Sequence, residues 1–214
     1  IDLVRLIAGG MATSVRAHTG RWDPARPTEG AYAALIGFAD GAFASVLYSG
    51  YGYFDGDALC GWIGESGRPR DPAAYSAGRP RLAGWRDTAR ETEAKFARNF
   101  GGAAYAAPSP AAHHQHFGQV IVSCERGDIV PGPDAVTVFD DQGRMREALA
   151  APQVPREEVI DELVAAVRDG VPPLHDGPWS MATLEVCLAL LESAREGREV
   201  ALRHQIAPRP VRLD

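Results

Sequence analysis

The stretch that decides the fold is AYAALIGFADGAFASVLYSGY, residues 31–51. Two apolar runs of strand length flank Asp40-Gly41, a pair favoured in type I′ hairpin turns. Pairing outward from that turn predicts Phe38 opposite Phe43, Ile36 opposite Ser45 and Ala34 opposite Leu47, with Leu35 meeting Val46 on the other face. Both faces are apolar or small. Both are therefore expected to be covered, by helices on one side and a partner surface on the other.

Working upstream, ATSVRAHTGRW (12–22) alternates Val15, Ala17 and Thr19 with Arg16, His18 and Gly20, the period of a strand, until Asp23-Pro24 and Arg26-Pro27 break it. Before it, IDLVRLIAGG spaces its apolar residues like the last turns of a buried helix and stops at Gly9-Gly10. No Ser, Thr, Asp or Asn cap precedes those residues. The expectation is a helix whose beginning lies in a longer chain.

Downstream, ALCGWIGESG (58–67) reads as a strand with a Gly-rich exit. Residues 68–112 are rich in Arg, Pro, Ala and Gly, with a helix expected from about Arg86 to Phe100, a Glu91–Lys95 pair, and Phe96 and Phe100 as a thin apolar stripe. A segment of that length between strands is read as an insertion. GQVIVSCERG (118–127) reads as a strand, and AVTVFDDQGRMREALAA (135–151) as a hairpin turning near Asp141-Gln142-Gly143. Two helices follow. One starts at Pro155, with Val159, Ile160, Leu163, Val164 and Val167 on one face; the other carries Leu184, Cys187, Leu188 and Leu191 and stops at Gly197. EVALRH reads as a final edge strand. The predicted fold class is α+β: one domain over 1–214, a large, mostly antiparallel open sheet with helices packed on one face and an insertion at about 68–112.

Apolar content of 45% suffices for a core, and no apolar run is long enough to span a bilayer. Cys60, Cys124 and Cys187 are odd in number and widely spaced among apolar neighbours, which suggests reduced, buried thiols in a cytoplasmic protein. Net charge is −6, against a dedicated nucleic-acid binder. Lys95 is the one lysine; the other cations are arginines, whose planar guanidinium forks suit carboxylates.

The dinucleotide pattern G-x-G-x-x-G is missed by Gly50-Tyr51-Gly52-Tyr53-Phe54-Asp55-Gly56, whose last Gly falls one place late and which leaves a hairpin strand without entering a helix. Ser66 lacks the G-x-S-x-G frame of a nucleophile elbow. HHQHF clusters His113, His114 and His116 before a strand. Three imidazoles suit zinc, a substrate-facing rim or a polar strand entrance. Alternation sends His113 and His114 to opposite sides, and no acid or Cys lies close in sequence, so no metal is assigned. HTGRWDPARPTEG places Arg21, Trp22 and Arg26 at a strand end and loop, where Arg can grip a carboxylate and Trp can wall off a flat ligand; surface pairing of the arginines with Asp23 and Glu29 is the other reading.

IDLVRLIAGG and the closing SMATLEVCLALLESAREGREVAL together resemble the C-terminal domain of the glucose–fructose oxidoreductase and inositol dehydrogenase (Gfo/Idh/MocA) family. That family joins an N-terminal Rossmann domain, which binds NAD(P), to a dihydrodipicolinate-reductase-like open sheet that faces substrate and builds the oligomer. IDLVRLIAGG is similar to the continuation of its D-x-x-x-H-x-I-D helix. TGRWDPARPTEGAY, DGAFASVLYSGYGYFD, FGQVIVSCERGDIVPGPDAV and GPWSMATLEVCLALLESAREGREV are similar to members that oxidise phthalate 4,5-cis-dihydrodiol to 4,5-dihydroxyphthalate. The resemblance covers most of the chain and is weakest over 71–112.

The resemblance implies that the Rossmann domain, the cofactor turn and the catalytic Lys, Asp and His all precede Ile1, so no catalytic residue is assigned here. Asp2 matches the Asp after the catalytic His and is assigned no chemical role. It also implies NAD or NADP in the full-length protein, a homo-oligomer built through the sheet face, and a small-molecule substrate, an aromatic dihydrodiol carboxylate. For that substrate, guanidinium forks, imidazoles and an aromatic wall make Arg21, Trp22, Arg26, His113, His114 and His116 the candidate substrate residues. A non-catalytic assembly or ligand-carrier module is the alternative, supported equally by the apolar hairpin.

Overall fold

The computed structural model describes residues 1–9, 11–24, 28–74, 77, 80, 83–84, 87–106, 112–153 and 157–207. The chain divides into two compact units, Ile1–Gly52 with Asp161–Asp214, and Tyr53–Ile160. The described elements are α+β, but the strands form two four-stranded antiparallel sheets, where one large sheet is expected from the sequence.

The first unit holds α1 (Asp2–Ala8), β1 (Ala12–Gly20), β2 (Ala31–Phe38), β3 (Phe43–Ser49), α4 (Gly177–Glu196) and β8 (Val200–Ala201). Its strand order is β3-β2-β1-β8. The apolar run of α1 ends where Gly9 turns left-handed at φ 66°, and Ile1 caps its start without a side-chain hydrogen bond.

The β2–β3 hairpin forms, one residue out of the expected register. Ile36 pairs with Ala44, Ala34 with Val46 and Gly37 with Phe43. The cause is the loop. The Phe38 N–H donates to Ala42 O at 2.9 Å, the Ala42 N–H donates to Asp40 Oδ1 at 3.0 Å, and Gly41 sits at φ 90°. Asp40 and Gly41 therefore serve a three-residue loop in place of a two-residue type I′ turn. A one-residue slip exchanges the faces of β3. Ala44 and Val46 now pack with Val15, Ala17, Ala34 and Ile36, while Phe43 (72% exposed) and Leu47 (80%) lie on the open face.

The core-side face is covered by α4, begun by the Asp176 side chain accepting from the Trp179 N–H and ended at Gly197. Its expected stripe of Leu184, Cys187, Leu188 and Leu191 is not the buried one. Trp179, Ala182, Val186, Ala189, Leu190 and Ser193 are buried instead. Alanine, serine and valine let the helix axis lie close to the strands, and Ser193 Oγ takes the Ala17 N–H at 2.9 Å. Met181, Leu184 and Leu188 are left half-exposed along a groove beside β8, of about 530 Å³.

The second unit carries α2 (Thr88–Arg98) and the meander β4 (Val122–Cys124), β5 (Gly127–Pro131), β6 (Ala135–Asp140) and β7 (Gly143–Ala148). The predicted hairpin at 135–151 is present, with Asp140 opposite Gly143. The Glu91–Lys95 pair forms at 2.8 Å; Phe96 and Phe100 are exposed, Phe100 edge-on to Tyr105. Two strand readings change. Residues 118–127 yield only β4 and the turn at Glu125-Arg126. Residues 58–67 are not a strand, because a 3₁₀ turn over Gly56–Cys60 is followed by left-handed Gly61 (φ 67°) and Trp62 (φ 61°).

The meander is followed by α3 (Glu157–Arg168), whose first residues belong to the second unit and the rest to the first. Its expected start at Pro155 lies outside the described residues. Its apolar stripe is present and exposed, from Val164 to Val167 at 77%. Of the cysteines, Cys124 is exposed and the other two half-buried, so none is a core thiol. Among the described residues no helix is long and apolar enough to cross a membrane.

Candidate functional site

Three glycines meet at one end of the first sheet. Gly20 closes β1, and Gly30 and Gly50 flank the β2–β3 hairpin. The Gly30 N–H donates to Gly20 O at 3.0 Å and the Gly50 N–H to Gly30 O at 2.8 Å. Two aromatic rings lie over this floor. A Cβ on Gly20 would stand 2.6 Å from Trp22 Cε2, and one on Gly30 2.5 Å from Tyr51 Cζ, closer than side-chain carbons come. The rings lean on each other with centroids 5.2 Å apart and planes at 45°. The Trp22 side of the pair is open to solvent (68%), and Arg21 beside it is exposed. The sequence thus points to Trp22 and Arg21 but misses Tyr51, whose signal was a Gly on either side of it just beyond the hairpin. Arg26, the third candidate in this loop, lies outside the described residues.

The histidine cluster belongs to the second unit and is used differently by each ring. His116 Nδ1 accepts from the Gly118 N–H at 3.1 Å, so its Nε2 carries the proton and donates to Ile63 O at 2.6 Å. His114 Nε2 donates to Ala150 O at 2.7 Å, and its main-chain N–H donates to Pro133 O. His113 Nδ1 meets the carboxylate of Asp134, which orients the ring. The three rings have three different partners. His114 fastens its loop to the end of the meander at Ala150 and His116 fastens it to the turn at Ile63, whereas His113 is held by a carboxylate side chain. Among the described residues, no group of three His, Cys, Asp or Glu side chains is placed to hold a metal ion.

A second constellation, which the sequence reading leaves unassigned, ties α1 to α4. Arg5, 1% exposed, donates to Thr183 Oγ1 at 2.7 Å, to Trp179 O at 3.1 Å and to Gln205 Oε1 at 3.1 Å, and its guanidinium lies 4.0 Å from the centre of the Trp179 ring. Asp2 Oδ1 accepts from Trp179 Nε1 at 2.6 Å and from Thr183 at 2.8 Å. Burial pushes the Arg5 guanidinium below its ordinary value, while Asp2 and Glu185 push it back up. An Arg and an Asp inside an otherwise apolar helix were the sequence signal for this network.

The described sheets do not fit a dinucleotide. Every ladder is antiparallel. A pyrophosphate cradle needs a parallel strand turning through glycines into a helix N-terminus. The Gly-rich run 50–56 leaves β3 for turns and a 3₁₀ helix instead. No hydride-transfer step is therefore derived from these residues.

No protein-family model matches the chain. Over 197 residues it is 40% identical to 1-carboxy-3-chloro-3,4-dihydroxycyclohexa-1,5-diene dehydrogenase of Comamonas testosteroni, covering 91% of this chain and 50% of that protein. A crystal structure from Bordetella bronchiseptica RB50, of a protein assigned as a dehydrogenase, aligns at TM-score 0.80 with 38% identity over 94% of this chain and 52% of that one. An oxidoreductase from Agrobacterium radiobacter, solved with NAD+, L-tartaric acid and magnesium, shares the fold at TM-score 0.55 and 14% identity, over 94% of this chain and 46% of that one. The relatives are dehydrogenases and oxidoreductases, and the chain spans about half the length of each.

Proposed function

We propose that these 214 residues are the substrate-binding and assembly half of an NAD(P)-dependent dehydrogenase of the Gfo/Idh/MocA type, acting in the cytoplasm on a cis-dihydrodiol of an aromatic carboxylate such as phthalate. One observation carries the reading: 40% identity over 197 residues, 50% of the length of an enzyme named for a carboxylated ring diol. The nicotinamide and the catalytic Lys, Asp and His then belong to the other half, and NAD or NADP supplies the hydride acceptor there.

Within this chain, the open end of the first sheet suits a flat ring bearing carboxylate. Trp22 with Tyr51 supplies an aromatic wall, and Arg21 supplies a planar fork for the acid group. In the second unit, taken by itself, His113 is held at Nδ1 by Asp134 and is the imidazole suited to a hydroxyl, while His114 and His116 hold their loops through the Ala150 and Ile63 carbonyls. The open face of the first sheet, with Phe43, Leu47 and Leu35, supports assembly with a second copy of the chain.

The binding part is tested by titrating the chain with phthalate while recording amide and indole resonances. The expected result is a shift of the Trp22 indole N–H and the Arg21 amide, with Kd raised about tenfold or more in Arg21→Ala, the loss of one charge-assisted carboxylate contact. Equal affinity in Arg21→Ala, or shifts confined elsewhere, would contradict it.

A further inference from the structure

His175 stands between α3 and α4, in the loop before the Asp176 cap. Its two ring nitrogens both face carboxylates. Nδ1 lies 2.8 Å from Glu162 Oε2 on α3, and Nε2 lies 3.3 Å from Asp2 Oδ2 on α1. The His175 main-chain N–H donates to the other Glu162 oxygen at 2.7 Å. The edge of the Trp179 ring on α4 closes the site, with centroids 6.5 Å apart and planes perpendicular. Asp2 is in turn held by Trp179 Nε1 and Thr183, and Arg5 is the neighbouring cation on α1.

A neutral imidazole carries one N–H and can donate to one carboxylate only; the other carboxylate would then face a lone pair. The arrangement found, with both nitrogens on carboxylate oxygens, is satisfied by the imidazolium alone. We propose that His175 is a proton-operated clasp, which when charged fastens the start of α1 to α3 through Asp2 and Glu162, and when neutral lets one of the two go. The clasp joins three separate segments of one unit, and its consequence is local: it governs how firmly α1 is held against α4. It does not depend on the dehydrogenase reading.

The electrostatics act in the same direction. The hydrogen bond to Glu162 and the charges of Glu162 and Asp2 hold His175 above its ordinary value, against the pull of partial burial. Partial burial favours the neutral acid form of Glu162, but the backbone and ring hydrogen bonds from His175 together outweigh it and hold the carboxyl below its ordinary value. A histidine raised on folding contributes stability that is complete below its unfolded value, about 6.5, and is lost as pH rises through the folded value. A carboxyl lowered on folding contributes above its unfolded value and loses that contribution as pH falls through the folded one. The clasp is therefore tightest in mildly acidic solution and loosens on the alkaline side.

The test is amide hydrogen exchange of the 214-residue chain across pH 5.5 to 9, corrected for intrinsic rates, with the His175 ring followed by NMR in the same samples. His175 is expected to titrate above the ordinary imidazole range. Protection of the α1 amides should fall through that same midpoint, by up to about tenfold for each unit by which His175 is raised. In His175→Gln the α1 protection should be flat over this range. Should that variant fold poorly, Asp2→Asn keeps an acceptor for Trp179 while removing the charge, and is expected to lower the His175 midpoint. Titration of His175 at its ordinary value, α1 protection that ignores it, or a slope that survives in His175→Gln would each overturn the proposal.

Discussion

Trp179→Ala is expected to destabilise the first unit by about 3–5 kcal/mol, the cost of removing a fully buried tryptophan. Trp179 is 2% exposed and does three things at once. Its ring fills the space between α1 and α4. Its face receives the Arg5 guanidinium at 4.0 Å, and its Nε1–H satisfies Asp2 at 2.6 Å. Alanine leaves a cavity and strips the Asp2 carboxylate of a donor. Trp179→Phe separates these effects. It keeps most of the apolar area and loses the N–H, so about 1.5–3 kcal/mol is expected, the range for one hydrogen bond to a charged group. Urea unfolding followed through the exchange of β1 and α4 amides measures both. Equal costs for the two variants would show that the hydrogen bond to Asp2, and not the packing, dominates.

Arg5→Met is the second large effect, about 1–3 kcal/mol, because the acceptors held by the buried guanidinium are each left without a donor. Methionine matches the stem of arginine and is apolar, so packing is largely kept. What is lost is the fork: Thr183, Trp179 O and Gln205 lose a donor, and Asp2 loses its buried cation. Arg5→Lys restores the charge without the planar geometry and is expected to recover less than half. Thermal or urea unfolding of the two variants side by side checks this. A lysine variant as stable as the wild type would mean that charge alone suffices.

The β2–β3 hairpin was legible because its two apolar runs and Asp40-Gly41 are local signals. Its register was not. Asp-Gly serves two loop lengths, and the choice here rests on Asp40 Oδ1 taking the Ala42 N–H, a side-chain detail with no trace in the hydrophobic pattern. The existence of α4 was legible from its period, but its buried face was not. Leu184, Leu188 and Leu191 lie on the more open side; the buried side joins Trp179 and Leu190 to Ala182, Val186, Ala189 and Ser193, whose small size allows close approach to the sheet. The strand expected at 58–67 failed where two consecutive residues adopt left-handed backbone, one of them Trp62, a residue type that gives no warning of it.

At the candidate site the pattern is similar. Trp22 and Arg21 stood out by residue type and loop position, whereas Tyr51 enters only through the glycine floor that brings Gly20, Gly30 and Gly50 together. The histidine run was conspicuous, yet the partners that decide what each ring does lie far along the chain: Ile63 for His116, Ala150 for His114 and Asp134 for His113. Of the network of Asp2, Arg5, His175 and Trp179, the sequence shows an Arg and an Asp in an apolar helix, but their partners lie more than 170 positions away.

We propose that this chain presents substrate and builds the assembly while the nucleotide is held elsewhere. Calorimetric titration of the 214-residue chain with NAD+ and with NADP+ tests it most directly. No binding heat is expected from either dinucleotide at millimolar concentration. Saturable binding in the micromolar range by these residues alone would contradict it.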